Sequence, residues 1–405
     1  MQKSDKEGQI PLKRGPRNSN SYFTSYPIFS LATDGQGLVI TGGGGGGRAY
    51  GVLNFLQAHV AILTGKNNRF LALETIATLD TGTDAPMALD FNAAQGGLWA
   101  CALGANCMLF KFNDDSLSFE PLIRWKSETN GNDMHITNFV KMYFQANRNQ
   151  LFALTGGEDK QIRLWKIAQE NGPGTRISEI ILIKESSYHN AEVIDGDWQP
   201  SGQHFLSCGK DGTVRIWSTY TQEQVAVIQP RSIDSKLANE TLSIRSAFFV
   251  GSDIVVLCHH PRGPAFLMLF SLANPTVPIS AVKVSKTITP SMGINLARDK
   301  LVVSHAGGEK DIFSIPSLRL LHRSNKHSHE MPPGKSIFAL EDVVVSASPD
   351  FSLNFFDPKT SSGFGGYLRT LLVLIFVILL ILVIGVALLA PEQAKTFILS
   401  RHAEL

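Results

Sequence analysis

Three short segments of the chain repeat one pattern, and this repetition constrains the fold more than any other feature. Residues 155–165 read TGGEDKQIRLW, residues 207–217 read SCGKDGTVRIW, and residues 346–356 read SASPDFSLNFF. Each segment has Ser or Thr, then Asp four residues later, then Trp or Phe six residues beyond that. Such self-similarity is typical of proteins that stack copies of one supersecondary unit. The chain is therefore predicted to be a repeat protein.

The spacing within each copy resembles the WD-repeat unit. In that unit the Asp lies at a tight turn between strands and accepts a hydrogen bond from a His that begins the repeat, while Ser or Thr and Trp extend the network. The residues assigned to this blade scaffold are His135, Asp159, Trp165, His189, Ser207, Asp211, Trp217, Ser346 and Asp350. For Asp350 the sequence leaves two histidines open, His327 and His329. Because the scaffold explains these residues, we disfavour a catalytic His/Asp site and expect a protein that is not an enzyme.

Weaker copies of the pattern fill the gaps between the three clear ones. They lie at residues 26–56, 102–112, 254–272 and 301–315, and short apolar runs alternate throughout with Gly, Asn, Asp and Ser turns. Seven units of roughly 48 residues result, close to the roughly 40–45 residues of a propeller blade. The predicted fold is all-β: one seven-bladed WD-repeat β-propeller over residues 22–357.

The C-terminal part of the chain has a different composition. Residues 371–390 read LLVLIFVILLILVIGVALLA, which at about 1.5 Å per residue is long enough to cross a hydrocarbon core of roughly 30 Å. A single C-terminal transmembrane helix is predicted there. Residues 1–21 are polar and contain no apolar signal-peptide core, so we expect a disordered tail and a cytosolic propeller. Residues 358–370 are predicted to be a linker, and residues 391–405 a short lumenal tail.

The charge of the chain is nearly balanced. There are 37 Lys and Arg residues against 35 Asp and Glu residues, a formal net charge of +2. A nucleic-acid partner normally requires a clustered basic face. Composition therefore argues against nucleic acid as a partner.

The most unusual local feature is a run of six glycines, Gly42–Gly47, between two apolar strands of the first unit. Such a run is costly to order and weakens a strand. A phosphate-binding Walker loop would need Lys and Ser or Thr after its glycines, but Arg48 and Ala49 follow here. Two interpretations stay open: a plain hairpin tip, or a loop whose bare backbone packs against a partner or surrounds a cation with carbonyl oxygens.

Taken with the apolar span, these features resemble the membrane-anchored WD-repeat guanine-nucleotide exchange factors of the endoplasmic reticulum that start COPII coat assembly, the prolactin regulatory element-binding protein family. The resemblance covers the chain from about Tyr26 to the span. The motifs that carry it are Gly43–Gly46 followed by Gly51, Val52 and Asn54, the segment Asp80–Met87, and the two middle repeats. One departure is Ala49-Tyr50, where the family often has Lys-Thr.

The resemblance implies a function, partners and a site. The function is guanine-nucleotide exchange on the small GTPase of the COPII coat, at the endoplasmic-reticulum membrane, with no nucleotide bound by this chain. The residues implied to contact the GTPase are Gly43, Gly44, Gly45, Gly46, Asn54, Asp80, Thr81 and Pro86. A potassium ion held by the carbonyl oxygens of Gly42–Gly47 is implied as cofactor. The alternative is a membrane-tethered WD-repeat scaffold without exchange activity.

Overall fold

Most of the chain between Ser21 and Pro358 is built from β-strands. The computed structural model describes residues 21–45, 51–64, 69–129, 131, 135–169, 176–233, 240–261, 263–324, 327–358 and 375. Within these residues the strands form seven antiparallel sheets of four strands each, all in the unit that ends at Asp357. Two short 3-10 helices, Ala94–Gly96 and Ala146–Arg148, lie at turns between strands.

Six of the sheets are meanders of four consecutive strands, which we number as blades 1 to 6. Blade 1 has β2 (Ile28–Thr33), β3 (Leu38–Gly43), β4 (Asn54–Thr64) and β5 (Arg69–Gly82). Blade 2 has β6 (Pro86–Asn92), β7 (Leu98–Leu103), β8 (Asn106–Asn113) and β9 (Ser118–Lys126). Blade 3 has β10 (Thr137–Gln145), β11 (Gln150–Gly157), β12 (Ile162–Gln169) and β13 (Ile177–Ser186).

The remaining meanders follow in the same order. Blade 4 has β14 (Val193–Trp198), β15 (His204–Gly209), β16 (Val214–Ser218) and β17 (Gln224–Ile228). Blade 5 has β18 (Ser243–Val250), β19 (Asp253–His260), β20 (Gly263–Ser271) and β21 (Asn274–Ser285). Blade 6 has β22 (Ser291–Ile294), β23 (Lys300–Ser304), β24 (Lys310–Ser314) and β25 (Leu320–Ser324).

Blade 7 combines both ends of the propeller. It has β26 (Lys335–Leu340), β27 (Val343–Ala347), β28 (Ser352–Phe356) and, as its fourth strand, β1 (Ser21–Phe23). Ser21 lies opposite Asn354, and Phe23 lies opposite Ser352. The N-terminal strand therefore joins the last blade to the first.

The first strands of the blades form a closed ring. Each of β2, β6, β10, β14, β18, β22 and β26 contacts the first strand of both neighbouring blades. These seven strands line a central channel, as a propeller requires. Closure leaves no blade without a neighbour, so the expected seven-bladed all-β propeller is confirmed.

Apolar packing between neighbouring blades holds the ring together. Between blades 4 and 5, Leu206, Ile216, Phe249, Val256 and Met268 belong to one buried cluster. Every residue of β7, which reads LWACAL, is buried, and this explains why inner strands read as unbroken apolar runs. At about 25 cal/mol per Å² of apolar surface, such burial is the main stabilising contribution.

The antiparallel meanders place equivalent connections on the same face of the ring. One face, which we call the entry face, is where the first strand of each blade begins. It carries the connection from the second to the third strand of each blade and the connection from the fourth strand to the next blade. The remaining connections lie on the opposite face.

Other expectations fall partly or wholly outside the described residues. The predicted tail begins before the described region, and its last residue, Ser21, is the first residue of β1. The predicted linker, span and lumenal tail lie outside the described residues, apart from Pro358 and Ile375. In the described part of the chain, no helix has the length and apolar character needed to cross a membrane.

Candidate functional site

Blade 4 contains a complete hydrogen-bond network of the predicted type. The hydroxyl of Ser207 lies 2.8 Å from Nε2 of His189 and accepts a hydrogen bond of 3.0 Å from Nε1 of Trp217. Nδ1 of His189 lies 3.0 Å from the carboxylate of Asp211. Burial lowers the pKa of His189, so the imidazole is neutral near pH 7. The network joins two strands, a turn and the start of the blade.

Asp211 is held at its turn by further donors. Its carboxylate accepts hydrogen bonds from the backbone N–H of Asn190 at 3.0 Å and from the hydroxyl of Thr213 at 2.7 Å. Burial alone would raise the pKa of Asp211, but these hydrogen bonds outweigh it and keep the pKa below its ordinary value. The carboxylate is therefore ionised and structural.

In blade 7, His329 occupies the histidine position that the sequence left open. Its ring nitrogens lie 2.6 Å from the hydroxyls of Ser346 and Ser352, and Nδ1 lies 3.7 Å from Asp350. His327 is instead exposed beside Glu309. Of the two candidates, His329 therefore extends the Asp350 network.

Blade 3 departs from the predicted network. The carboxylate of Asp159 pairs with the buried guanidinium of Arg163 at 2.5 Å, rather than with the predicted His135. His135 lies close by and lines the same small cavity as Asp159 and Arg163. Trp165 donates to the hydroxyl of Thr155 at 2.9 Å, as the pattern requires. Arg163 also pairs with Glu185 at 2.6 Å, so its buried guanidinium joins two carboxylates of this blade.

Blade 1 replaces this network with one that the sequence pattern did not indicate. His59 is fully buried; its Nε2 lies 2.8 Å from the hydroxyl of Thr41, and its Nδ1 lies 2.9 Å from that of Thr75. Thr41 bonds onward to the hydroxyl of Tyr26 at 2.7 Å, and Thr75 to that of Tyr22 at 2.6 Å. Burial lowers the pKa of His59 to about 4 and raises the pKa of Tyr26. His59 has the position in blade 1 that Trp217 has in blade 4, because His59 lies opposite Val39 and Trp217 lies opposite Phe205 on the neighbouring strand. This position depends on strand register and not on a sequence motif.

The glycine run lies at the connection between β3 and β4, on the entry face. This connection has ten residues, 44–53, whereas none of the six equivalent connections exceeds five residues. In blade 4, four residues, 210–213, are sufficient. Blade 1 therefore carries an insertion in place of the Asp turn. Gly46 and Gly47, together with Arg48–Tyr50, lie outside the described residues.

The base of the glycine loop is closely packed. A Cβ atom at Gly43 would lie 1.9 Å from the carbonyl oxygen of Pro27, and one at Gly44 would lie 2.0 Å from Oδ1 of Asn54. Gly44 also has a φ of +152°, a conformation that favours glycine. Gly45 approaches Val52 in the same way, with 2.6 Å to a built Cβ. Glycine is therefore required at these positions by packing within the chain.

Asn54 links the glycine loop to the end of β5 through a hydrogen bond. Its side chain is fully buried, and its Nδ2 donates a hydrogen bond of 2.9 Å to the carbonyl of Gly82. Phe55, the next residue, lies opposite Asp80 in the sheet. The glycine loop and the β5–β6 connection are thus neighbours on the entry face.

The end of β5 and the start of β6, on either side of their connection, present both buried and exposed groups. Thr81 is buried and donates a hydrogen bond of 2.9 Å to the carbonyl of Asp84, and Pro86 is buried with its carbonyl accepting from Ser30 at 2.9 Å. Asp80 is exposed and accepts from the backbone N–H of Gly82 at 2.8 Å. The structure therefore brings the described candidate residues together, but Asn54, Thr81 and Pro86 face inward.

The loop base offers amide and carbonyl oxygens rather than a cluster of acidic or imidazole ligands. Among the described residues, no group of three or more His, Cys, Asp or Glu side chains could hold a metal ion. The oxygen atoms near Gly43 and Gly44 come from Pro27 and Asn54. Neutral oxygen donors of this kind suit a hard cation of low charge.

Comparison with known proteins supports the repeat assignment. A family model described as "WD domain, G-beta repeat" matches residues 182–218, which include the complete blade 4 network. Protein HIRA of Gallus gallus is 30% identical over 79 residues, which are 17% of this chain and 8% of that protein. Protein HIRA of Takifugu rubripes is 29% identical over 79 residues, again 8% of its length. The matches thus cover a small part of these relatives.

A solved structure shows the same architecture. The crystal structure of Chaetomium thermophilum Raptor aligns with a TM-score of 0.61 at 13% identity, covering 84% of this chain and 28% of that chain. At this identity the likeness concerns the fold alone. With the matched repeat and the closed ring of blades, the chain is a WD-repeat protein whose repeats form a seven-bladed β-propeller.

Proposed function

We propose that this WD-repeat propeller is a guanine-nucleotide exchange factor for the small GTPase that starts COPII coat assembly. One observation carries the proposal: a single connection of the ring, between β3 and β4, holds a ten-residue glycine-rich insertion beside the β5–β6 connection. The resemblance of Gly43–Gly46 and Asp80–Met87 to that exchange-factor family supports it. A propeller that only assembles other proteins has no need of such an insertion.

Exchange on a GTPase requires no bond chemistry from the factor. It requires a surface that binds the nucleotide-free GTPase better than the nucleotide-bound form, and a nearly complete shift takes about 5 kcal/mol of differential binding. A loop with a packed base loses little conformational freedom on contact. We therefore assign Asn54, Thr81 and Pro86 as positioning residues, and the exposed Asp80 and the loop beyond Gly44 as the contact with the GTPase.

The proposed setting is the endoplasmic-reticulum membrane, with the apolar residues 371–390 as anchor. Tethering raises the effective concentration of the factor where the activated GTPase acts, without any new contact. The partners proposed are that GTPase and the membrane. Nucleic acid is not among them, and the chain itself is proposed to bind no nucleotide.

A potassium ion at the glycine loop remains part of the proposal. Carbonyl oxygens of Gly42–Gly45 and Oδ1 of Asn54 would hold it, and it would fix the shape of the loop. Unfolding can test this without any exchange assay: potassium should raise the melting temperature of the protein above that in sodium at equal ionic strength. Equal melting temperatures in both salts would remove the ion from the proposal.

The direct test replaces the insertion by a turn from the same protein. Residues 44–53 are exchanged for Lys-Asp-Gly-Thr, the sequence that joins β15 to β16 between Gly209 and Val214. Release of fluorescent GDP from the GTPase is then measured with the full chain in detergent micelles. We expect the release rate to fall at least tenfold while the melting temperature stays within a few degrees.

The matched control leaves the loop intact and changes a turn on the same face in another blade. Glu309→Gln, in the β23–β24 connection, should leave the release rate unchanged. If the variant with the short turn still releases GDP at the wild-type rate, the tethered scaffold without exchange activity becomes the better assignment.

A further inference from the structure

A cavity of about 330 Å³ opens at the mouth of the central channel on the entry face. It lies where the first strands of the blades begin, and residues of all seven first strands line it. Its charged lining includes Lys141 of β10, Asp195 of β14, Arg245 of β18 and Lys335 of β26. No described residue of the glycine loop belongs to this lining.

Two of the cations around the cavity are neutralised by carboxylates. Nζ of Lys141 lies 2.9 Å from Oδ1 of Asp90, which is on β6, the first strand of the neighbouring blade 2. At the rim, Nζ of Lys210 lies 2.6 Å from Oε2 of Glu192. Each of these pairs contributes no net charge to the cavity.

The groups that remain are Arg245, Lys335 and Asp195, which together carry one positive charge. Nε of Arg245 donates to the carbonyl of Pro290 at 2.7 Å, and the described residues contain no ion pair within 4 Å for either cation. Burial lowers the pKa of Lys335 and raises the pKa of Asp195, whereas Arg245 is exposed. An added anion would relieve the cost of keeping two cations in this place.

A buried hydroxyl without a hydrogen-bond partner also favours an anion in this cavity. Ser246, next to Arg245, is 6% exposed, and its hydroxyl oxygen has no hydrogen-bond partner among the described residues. It lines the same cavity. A buried hydroxyl left unpaired costs about 1–3 kcal/mol, which a bound acceptor would recover once the Ser246 side chain rotates toward it.

We propose that this cavity binds a single carboxylate of an acidic peptide segment from a protein partner. Arg245 and Lys335 pair with the carboxylate, and Ser246 donates a hydrogen bond to it. The formal charge of +1 left by Arg245, Lys335 and Asp195 matches a monoanion such as a carboxylate. The site does not depend on exchange activity, so it can stand or fall independently of the proposed function.

Saturation-transfer NMR on the full chain in detergent micelles can test this site, because the method detects weak ligands. The probe is acetyl-Gly-Glu-Gly-amide, and its neutral match is acetyl-Gly-Gln-Gly-amide. We expect a saturation signal from the Glu peptide, at least tenfold weaker signal from the Gln peptide, and loss of the signal at high salt because screening weakens the ion pairs. Equal signals from both peptides would overturn the proposal.

Variants assign the signal to the cavity. Arg245→Gln and Lys335→Gln should each weaken Glu-peptide binding at least tenfold, and Lys335→Arg should restore most of it. Lys210→Gln is the matched control, because this rim lysine is already paired; it should bind as the wild type does. Wild-type binding by both Arg245→Gln and Lys335→Gln would overturn the assignment, and this outcome cannot be attributed to unfolding. Inorganic phosphate that displaces the Glu peptide at a lower concentration than acetate would overturn the choice of a carboxylate.

Discussion

A single buried hydroxyl, that of Ser207, is the partner of two ring nitrogens in blade 4: it accepts from Nε1 of Trp217 and donates to Nε2 of the neutral His189. All three side chains are buried. This hydroxyl on β15 therefore links the segment that precedes the blade, through His189, to β16, through Trp217.

Ser207→Ala should destabilise the protein by about 2–3 kcal/mol, because a buried ring nitrogen on each side loses its partner. Urea unfolding at pH 7 gives the free energy of unfolding directly. Ser252→Ala, at an exposed turn of blade 5, is the control and should change it by less than about 0.5 kcal/mol. Equal effects of the two substitutions would refute this account.

His59 makes the stability of blade 1 depend on pH. Its pKa falls from 6.5 to about 4 on folding, so the unfolded chain takes up the proton first. Its contribution is complete above pH 6.5 and is lost as the pH falls toward 4. Between pH 7 and pH 5, wild type should lose about 2 kcal/mol more stability than His59→Phe. Urea unfolding of both proteins at the two pH values measures the difference; equal losses would contradict the shift.

Some residue roles could be predicted from the sequence and others could not. The Ser207, Asp211 and Trp217 positions follow from spacing, because a four-residue turn fixes where each side chain points. The partner of Asp159 does not follow, since Arg163 and His135 are both within reach and only the packed structure decides between them. His59 has no motif of its own, because its role depends on strand register.

At the scale of the element, the glycine loop is constrained at its base. Gly44 packs its backbone on Asn54, which in turn holds Gly82, so a side chain here would push two connections apart. Gly51, at the other end of the loop, has a φ of +78° but open space around a built Cβ. The two glycines are needed for different reasons.

Gly44→Ala should therefore cost about 3 kcal/mol, since overpacking adds to backbone strain. Gly51→Ala should cost only about 1 kcal/mol, the strain of a left-handed alanine. Thermal unfolding of the two variants separates packing from strain. Similar losses of stability would mean that the base of the loop is not packed as described.

The sequence located this loop but not the orientation of its neighbours. Six consecutive glycines between apolar runs are conspicuous because they are costly to order in a strand. That Asn54, Thr81 and Pro86 face inward is decided by pairing between strands far apart in sequence, such as β4 with β5. The sequence therefore does not show which of these residues are buried and which are exposed.

At the scale of the molecule, one three-residue strand closes the ring. β1 pairs with β28, and the backbone N–H of Thr24 donates to the carbonyl of Phe351 at 2.9 Å. Tyr22 adds its bond to Thr75 of blade 1. The number of blades could be predicted by counting repeats, but β1 could not, because three residues carry no repeat pattern.

Deletion of residues 1–24 should lower the free energy of unfolding by about 3–4 kcal/mol, since several hydrogen bonds of about 1 kcal/mol each are lost. Deletion of residues 1–20, which retains β1, is the control and should leave stability unchanged. Urea unfolding of both truncated chains measures the effect. Equal stability of the two would mean that β1 does not hold the ring closed.

This closure also sets the order of events during synthesis. Ser21 leaves the ribosome early, yet the side chain it meets, Asn354, is 333 residues later in the chain. Blades 1 to 6 can each form from contiguous chain as they emerge, but β1 has no partner until β28 has been made. Bringing such distant segments together carries a loop-closure cost that grows slowly with length, and the six folded blades between them reduce it. Of the described strands, the first to be translated is thus the last to be paired.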